Sequence, residues 1–259
     1  MKILLSNDDG VFSVGINTLA AALSDIADVT IVAPDRNKSG VSNSLTLEMP
    51  LKARQIEDKI YSVQGNPADC IHFALNEVFE NKPDLLISGI NHGANLGDDM
   101  IYSGTVAAAT EGYLFGVPSI AVSLVGRGNF SDAANYIREL VLNIQSTPLP
   151  TDRILNINIP SCPRSEWAGV KVTHQGQREH ILNMVKQRDP RGEDAYWIGA
   201  AGKGITVQIN KEQANSDFTA IENNYVSITP IKIDLTAYED IAKVAQWLES
   251  KENQLSCKQ

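Results

Sequence analysis

Short apolar runs recur through the first 160 residues, each followed by a polar turn and then by apolar positions at helical spacing. Lys2–Ser6 is the first run, and Ile16, Leu19, Ala20, Leu23 and Ile26 follow it at a helical repeat over Ile16–Ile26. Val29–Ala33 is a second strand-like run, stopped by Pro34. Leu45–Leu47, Leu51–Arg54 and Ile60–Val63 read as short strands or a hairpin extension. Pro67 stands where a helix begins, with Ile71, Leu75, Val78 and Phe79 on its buried face. Leu85–Ser88, Ser119–Leu124 and Ile154–Ile159 are further core strands, separated by helices over Thr105–Phe115 and Ala133–Ile144. Strands alternating with helices predict βαβ units and an α/β fold with a doubly wound, mostly parallel sheet.

The pattern changes near residue 165, which sets an expected division into a core, residues 1–165, and an extension, residues 166–259. Val170–Thr173, Tyr196–Ile198 and Tyr225–Thr229 are strand-like, with polar stretches such as Lys186–Asp194 and Lys211–Glu222 between them. Thr236–Leu248 reads as a closing helix that packs on the core, with Thr236 as its cap and Tyr238, Ile241, Val244, Ala245 and Leu248 on its apolar face. The tail Glu249–Gln259 reads as polar and frayed. A long polar β excursion lacks a core of its own, so it is expected to pack on the core or on another subunit.

Composition narrows the function. No apolar run approaches the roughly 20 residues that a membrane span needs. Met1-Lys2-Ile3-Leu4-Leu5 is too short for a signal peptide and runs straight into Asp8 and Asp9, so a cytosolic protein is expected. The three cysteines, Cys70, Cys162 and Cys257, show no metal or redox spacing and read as reduced packing thiols. A net charge of −9 argues against a partner that is a nucleic-acid polymer. It also repels a phosphorylated substrate unless a cation intervenes.

Four segments then fall at the carboxyl edge of the expected sheet, where α/β folds bind ligands: Asn7-Asp8-Asp9-Gly10, Ser39-Gly40, Ser88-Gly89-Ile90-Asn91 and Tyr102-Ser103-Gly104-Thr105-Val106. Adjacent carboxylates repel unless something compensates them, and two carboxylates with neutral oxygens from Ser39 and Asn91 suit magnesium. The loop Asn91–Asp98 is rich in Gly and Asn and offers main-chain N–H groups to an anion. His92 in that loop is a candidate acid or base or an ordinary loop residue. Ser103-Gly104-Thr105 opens a strong helix former, where an N-cap and a bound phosphate are compatible uses of the same N–H groups. Asp35 sits where dinucleotide folds hold a ribose, but no GxGxxG follows the first strand and no GxxxxGK[ST] exists anywhere. Ser88–Asn91 lacks the phosphate-accepting aspartate of a response-regulator receiver, and Asp8-Asp9-Gly10 lacks the D-x-D of a haloacid-dehalogenase-type phosphatase.

Taken together, these segments resemble the SurE family, the stationary-phase survival nucleotidases, over nearly the whole chain. The strongest parts are Leu5–Gly10, Ala33–Gly40, Gly65-Asn66-Pro67-Ala68-Asp69-Cys70, Ser88–Gly112 and Tyr225–Pro230. The resemblance implies a Rossmann-like fold whose C-terminal extension makes homodimer or homotetramer contacts. It implies hydrolysis of nucleoside 5′- and 3′-monophosphates with one divalent metal ion, Mg2+ or Mn2+, and trimming of short polyphosphate by some members. Carried over by position, the implied metal ligands are Asp8, Asp9, Ser39 and Asn91. Asn95, Ser103, Gly104 and Thr105 fall on the phosphate side, with Asn43 a further candidate for the same pocket. Asp8 is expected to aid deprotonation of water and Asp9 to anchor the metal. Ala94 stands where the family usually has Pro, and Asn224 where it has Gly; neither change removes a ligand. The rival expectation is a catalytically silent nucleotide-binding protein that kept the site.

Overall fold

The computed structural model describes residues 1–149, 153–178, 184–198, 204–205 and 215–256. In chain order the elements are β1 (Lys2–Ser6), α1 (Val14–Leu23), β2 (Asp28–Pro34), β3 (Ala53–Glu57), β4 (Ile60–Val63), α2 (Pro67–Phe73), β5 (Leu85–His92), α3 (Gly104–Leu114), β6 (Ser119–Leu124), α4 (Phe130–Ser146) and β7 (Ile154–Ile159). Then follow β8 (Gly169–Val172), β9 (Gln177–Arg178), β10 (Met184–Arg188), β11 (Asp194–Ile198), β12 (Gly204–Ile205), α5 (Asp217–Glu222), β13 (Tyr225–Ile231) and α6 (Ile241–Ser256).

The main sheet has nine strands in the order β3-β4-β2-β1-β5-β6-β7-β13-β8. The run β4-β2-β1-β5-β6-β7 is parallel throughout, with β3 antiparallel on one edge and β13 antiparallel beside β7. From β1 the chain winds outward through β2 to β4, then returns to β5 on the other side of β1 and winds outward again. The order therefore reverses between β1 and β5, and a crevice opens there beyond the strand ends.

Side-chain alternation along the strands splits the core into two layers. Ile3, Leu5 and Ile87 pack with Ile16, Leu19 and Leu23 of α1 and with Ile137 and Val141 of α4. Leu4 and Leu86 point the other way, onto Cys70 and Ile71 of α2 and Val106, Ala108 and Ala109 of α3. Strands this apolar on both faces need helices on both, which is why β1, β5 and β6 are buried almost end to end.

The structure departs from expectation in four places, three of them in the C-terminal part. The sheet does not respect residue 165, because Tyr225–Ile231 returns to the core beside β7 and brings β8 with it. The stretch read as polar between strands forms β10, which pairs with β11 as a hairpin. Leu45–Leu47 forms no strand, and its residues lie largely at the surface. The last helix starts at Ile241 rather than Thr236, and its apolar positions Ile241, Val244, Trp247 and Leu248 stay exposed instead of packing on the core. Cys257 and the last residues of the tail lie outside the described residues.

A two-carboxylate site at the switch point of the sheet

The loop after β1 is closed by Asn7, whose side-chain amide donates to the Gly10 carbonyl (3.0 Å) and whose side-chain oxygen accepts from the Gly10 N–H (3.1 Å). Gly10 has φ +101°, and a Cβ there would lie 3.1 Å from the Arg36 backbone, so only glycine fits. This turn fixes Asp8 and Asp9 at the reversal point between β1 and β5.

Asp8 is 3% exposed. Its Oδ1 accepts a 2.5 Å hydrogen bond from the Thr105 hydroxyl at the start of α3. Burial pushes the Asp8 carboxyl above the ordinary carboxylate range; the Thr105 hydroxyl opposes that, and neighbouring Asp9 adds to it. A Cβ at Gly104 would lie 2.7 Å from the Asp8 Cβ and 3.0 Å from its Oδ2. The free N–H groups of α3 thus abut the carboxylate itself, where the helix dipole favours negative charge. The helix start that the sequence offers to a phosphate is engaged first by Asp8.

Asp9 is half-buried. Its Oδ2 accepts the His92 backbone N–H at 3.0 Å, and its Oδ1 faces the Asn37 amide at 3.5 Å. The backbone of His92, rather than its exposed imidazole, is what meets the site. Asn91 precedes it at the end of β5, nearly buried, and its amide nitrogen donates to the Gly93 carbonyl (2.9 Å), which leaves its side-chain oxygen available. The β2 loop closes over the pair from the other side. The Lys38 N–H donates to the Asp8 carbonyl (2.7 Å), and the exposed Ser39 donates its N–H to Asn37 (2.8 Å). The loops that carry Asp8 and Asp9, Ser39, and Asn91 are thereby tied together. The donor atoms of these four side chains are all oxygens, the set a hard divalent cation takes. Among the described residues no cationic side chain makes a hydrogen bond or ion pair to either carboxylate, one of them buried beside the other, so the residues fit such an ion. Among the described residues no cluster of three His, Cys, Asp or Glu offers an alternative metal site.

Ser103 caps α3 by accepting the Val106 N–H at 3.0 Å, and its own O–H remains a donor. Asn95 is held from below: its amide donates to Ser123 (2.8 Å), its N–H to Asn158 (2.9 Å), and its carbonyl accepts from Asn156 (2.8 Å) and Asn158 (3.0 Å). Two residues on, the Gly97 N–H donates to Asp217 Oδ2 (2.7 Å). Asp217 is fully buried and also accepts from the Gly176 and Phe218 amides (2.9 and 2.8 Å); burial pushes its carboxyl up, against those three donors. Asn156, Asn158 and Asp217 escape the sequence reading. The first two carried a signal, as amides at alternate positions of an otherwise apolar strand; Asp217 sat in a stretch read as polar and lying between strands. Asn43 is exposed and borders a separate cavity of about 180 Å³ beside α3, with Met100, Ile101, Val106 and Gln175 in its wall.

Comparison with known proteins agrees with this architecture. The family model described as "Survival protein SurE" matches residues 3–181. A protein of Aliivibrio fischeri named "5'-nucleotidase SurE" is 55% identical over 96% of this chain and 95% of its own length. One of Vibrio cholerae with the same name is 55% identical over 98% of this chain and all of its own length. A crystal structure of the SurE protein from Aquifex aeolicus superposes with a TM-score of 0.82 at 45% identity, over 96% of this chain and all of that one. On sequence and fold alike, the chain belongs to the SurE family.

Proposed function

We propose that the chain is a metal-dependent phosphomonoesterase that hydrolyses nucleoside 5′-monophosphates, and 3′-monophosphates with them, to nucleoside and phosphate, with short polyphosphate as a further substrate. The observation that carries this reading is the Asp8/Asp9 pair at the switch point, one carboxylate buried and bound by the Thr105 hydroxyl, the other accepting the His92 N–H. The relatives' name, 5'-nucleotidase, supports it.

In this reading Asp8, Asp9, Ser39 and Asn91 hold one Mg2+ or Mn2+, which would supply Lewis acidity to the phosphoryl group and to the attacking water. Thr105 fixes Asp8 Oδ1, and Asp8 is the carboxylate assigned to receive a proton from the attacking water. Asp9 serves mainly as an anchor. The Gly104 N–H, the Ser103 O–H and the Asn95 amide present donors to the phosphoryl oxygens, where charge builds in the transition state. These donors touch only the group common to all mononucleotides, so they set the reaction and not the base preference.

A homodimer or homotetramer is part of the same proposal, supported by the exposed apolar residues of β10, β11 and α6. So is a cytoplasmic location; no described helix is long and apolar enough to cross a membrane. The test is phosphate release from a panel of mononucleotides and polyphosphates. EDTA should abolish it and Mg2+ or Mn2+ should restore it. Full turnover by metal-stripped protein would sink the mechanism.

A further inference from the structure

The Gly65–Cys70 segment carries a strong family resemblance without contributing a group to the carboxylate pair. It builds the N-terminus of α2, and from there it reaches two parts of the site. Pro67 packs against the start of α3, where a Cβ at Gly104 would lie 3.1 Å from its ring. Asp69, 2% exposed, reaches the loop after β2. Its Oδ2 accepts the Asn66 N–H (2.7 Å), which caps α2, and also the Thr46 hydroxyl (2.6 Å); its Oδ1 accepts the Thr46 N–H (2.8 Å). A Cβ at Gly65 would lie 2.9 Å from Asp69 Oδ2, so glycine there makes room for the carboxylate.

A capping box needs only one of these bonds. The other two spend both polar hydrogens of Thr46 on one buried carboxylate 23 positions away. Thr46 lies in the irregular loop that carries Ser39 and Asn43. Leu45, Leu47 and Met49 of that loop are exposed, and Leu51, which packs against the core, comes only after Thr46. The loop itself is held by polar ties: Lys38 to the Asp8 carbonyl at one end, the Ser42 N–H to the Tyr102 carbonyl (3.2 Å) in the middle, and Thr46 to Asp69 at the other end. We propose that Asp69 is a positioning residue: through Thr46 it latches the 39–46 loop down on the sheet edge, so that Ser39 is presented to Asp8 and Asp9. This rests on the metal-dependent reading above.

Thr46→Val tests the latch, because it removes the hydroxyl and leaves the α2 cap intact; Thr46→Ser keeps the hydroxyl and serves as the rescue. Hydrogen exchange of residues 39–46 in metal-free protein should speed up about tenfold in Thr46→Val and stay near wild type in Thr46→Ser. Calorimetric Mn2+ affinity should fall by a similar factor, with the metal concentration for half-maximal activity rising in parallel and kcat at saturating Mn2+ staying within twofold. Asp69→Asn should act in the same direction and also loosen α2. A folded Thr46→Val protein with wild-type exchange and wild-type Mn2+ affinity would overturn the latch. So would a loss of thermal stability with metal affinity unchanged, which is what a merely structural tie predicts. Wild-type protein that neither binds Mn2+ nor releases phosphate would defeat the metal-dependent reading instead, and the exchange comparison would still decide whether Thr46 holds the loop.

Discussion

The carboxyl edge around β1 and β5 and the β10–β11 arm both carry apolar strand residues, and these meet opposite fates. β5 is buried from Leu85 to Asn91, whereas every residue of β10 and β11 is exposed, Tyr196, Trp197 and Ile198 among them. The difference lies in what the chain supplies as a second layer. Around β1 and β5 it supplies four helices on two faces, and the resulting rigidity holds a buried carboxylate against a helix end. The arm pairs only within itself, and a lone two-stranded hairpin is marginal in water. The proposed ligand site is thus finished within one chain, while the arm leaves its apolar side chains exposed.

The sharpest way to break this comparison is at the finished end. Asp8→Asn and Asp9→Asn should each lower phosphate release on the order of a thousandfold, the scale of removing several kcal/mol of metal-assisted stabilisation. They should do so without unfolding the protein, as circular dichroism would show. Asp8→Asn should in fact raise the melting midpoint of the metal-free protein at neutral pH. Burial holds the folded carboxyl above its unfolded value, so this group withdraws stability as pH rises through the carboxylate range. Asparagine removes that cost, and the gap between variant and wild type should close as pH falls below the ordinary carboxylate range. A variant that unfolds while keeping wild-type activity per folded molecule would make the pair structural.

The unfinished end should respond in assembly rather than in fold. Trp197→Asp on the exposed face of β11 should weaken self-association about 30-fold or more, the loss typical of a central aromatic contact. Sedimentation should then show a smaller species with an unchanged spectrum of secondary structure. Wild-type protein that sediments as a monomer at micromolar concentration would remove the second layer that the arm requires.

The same contrast explains what was legible in the sequence. The parallel core could be read because burial on two faces writes long apolar strands, and the carboxylates because Asp8-Asp9-Gly10 follows one of them directly. The arm and the start of the last helix were misplaced because their apolar residues stay exposed, so no buried face marks where these elements begin. Asn156, Asn158 and Asp217 were missed for a different reason. Their work is done through backbone groups of Asn95 and Gly97, more than 50 positions away, and a backbone contact leaves no mark on the residue contacted. Gly104 was read as room for an anion, yet the structure shows it is first of all room for Asp8.

The smallest expected effect separates two uses of the α3 start. Ser103 and Thr105 both stand beside the proposed phosphate position, but their hydroxyls are committed differently: Ser103 accepts from its own helix, and Thr105 donates to Asp8. Ser103→Ala should therefore cost about 0.5–2 kcal/mol of stability, the usual loss of a cap, and raise KM evenly across mononucleotides. Thr105→Val should change the pH profile instead. The Thr105 hydroxyl lowers the Asp8 carboxyl's affinity for protons, so its loss leaves burial unopposed by that bond and pushes the carboxyl further up. The acid limb of kcat/KM should move to higher pH, with a loss of about tenfold at neutral pH, the scale of one hydrogen bond. Thr105→Ser should restore both the limb and the rate, because the donor returns. If Thr105→Val raises KM with the acid limb unmoved, the hydroxyl serves the phosphate and Asp8 does not depend on it.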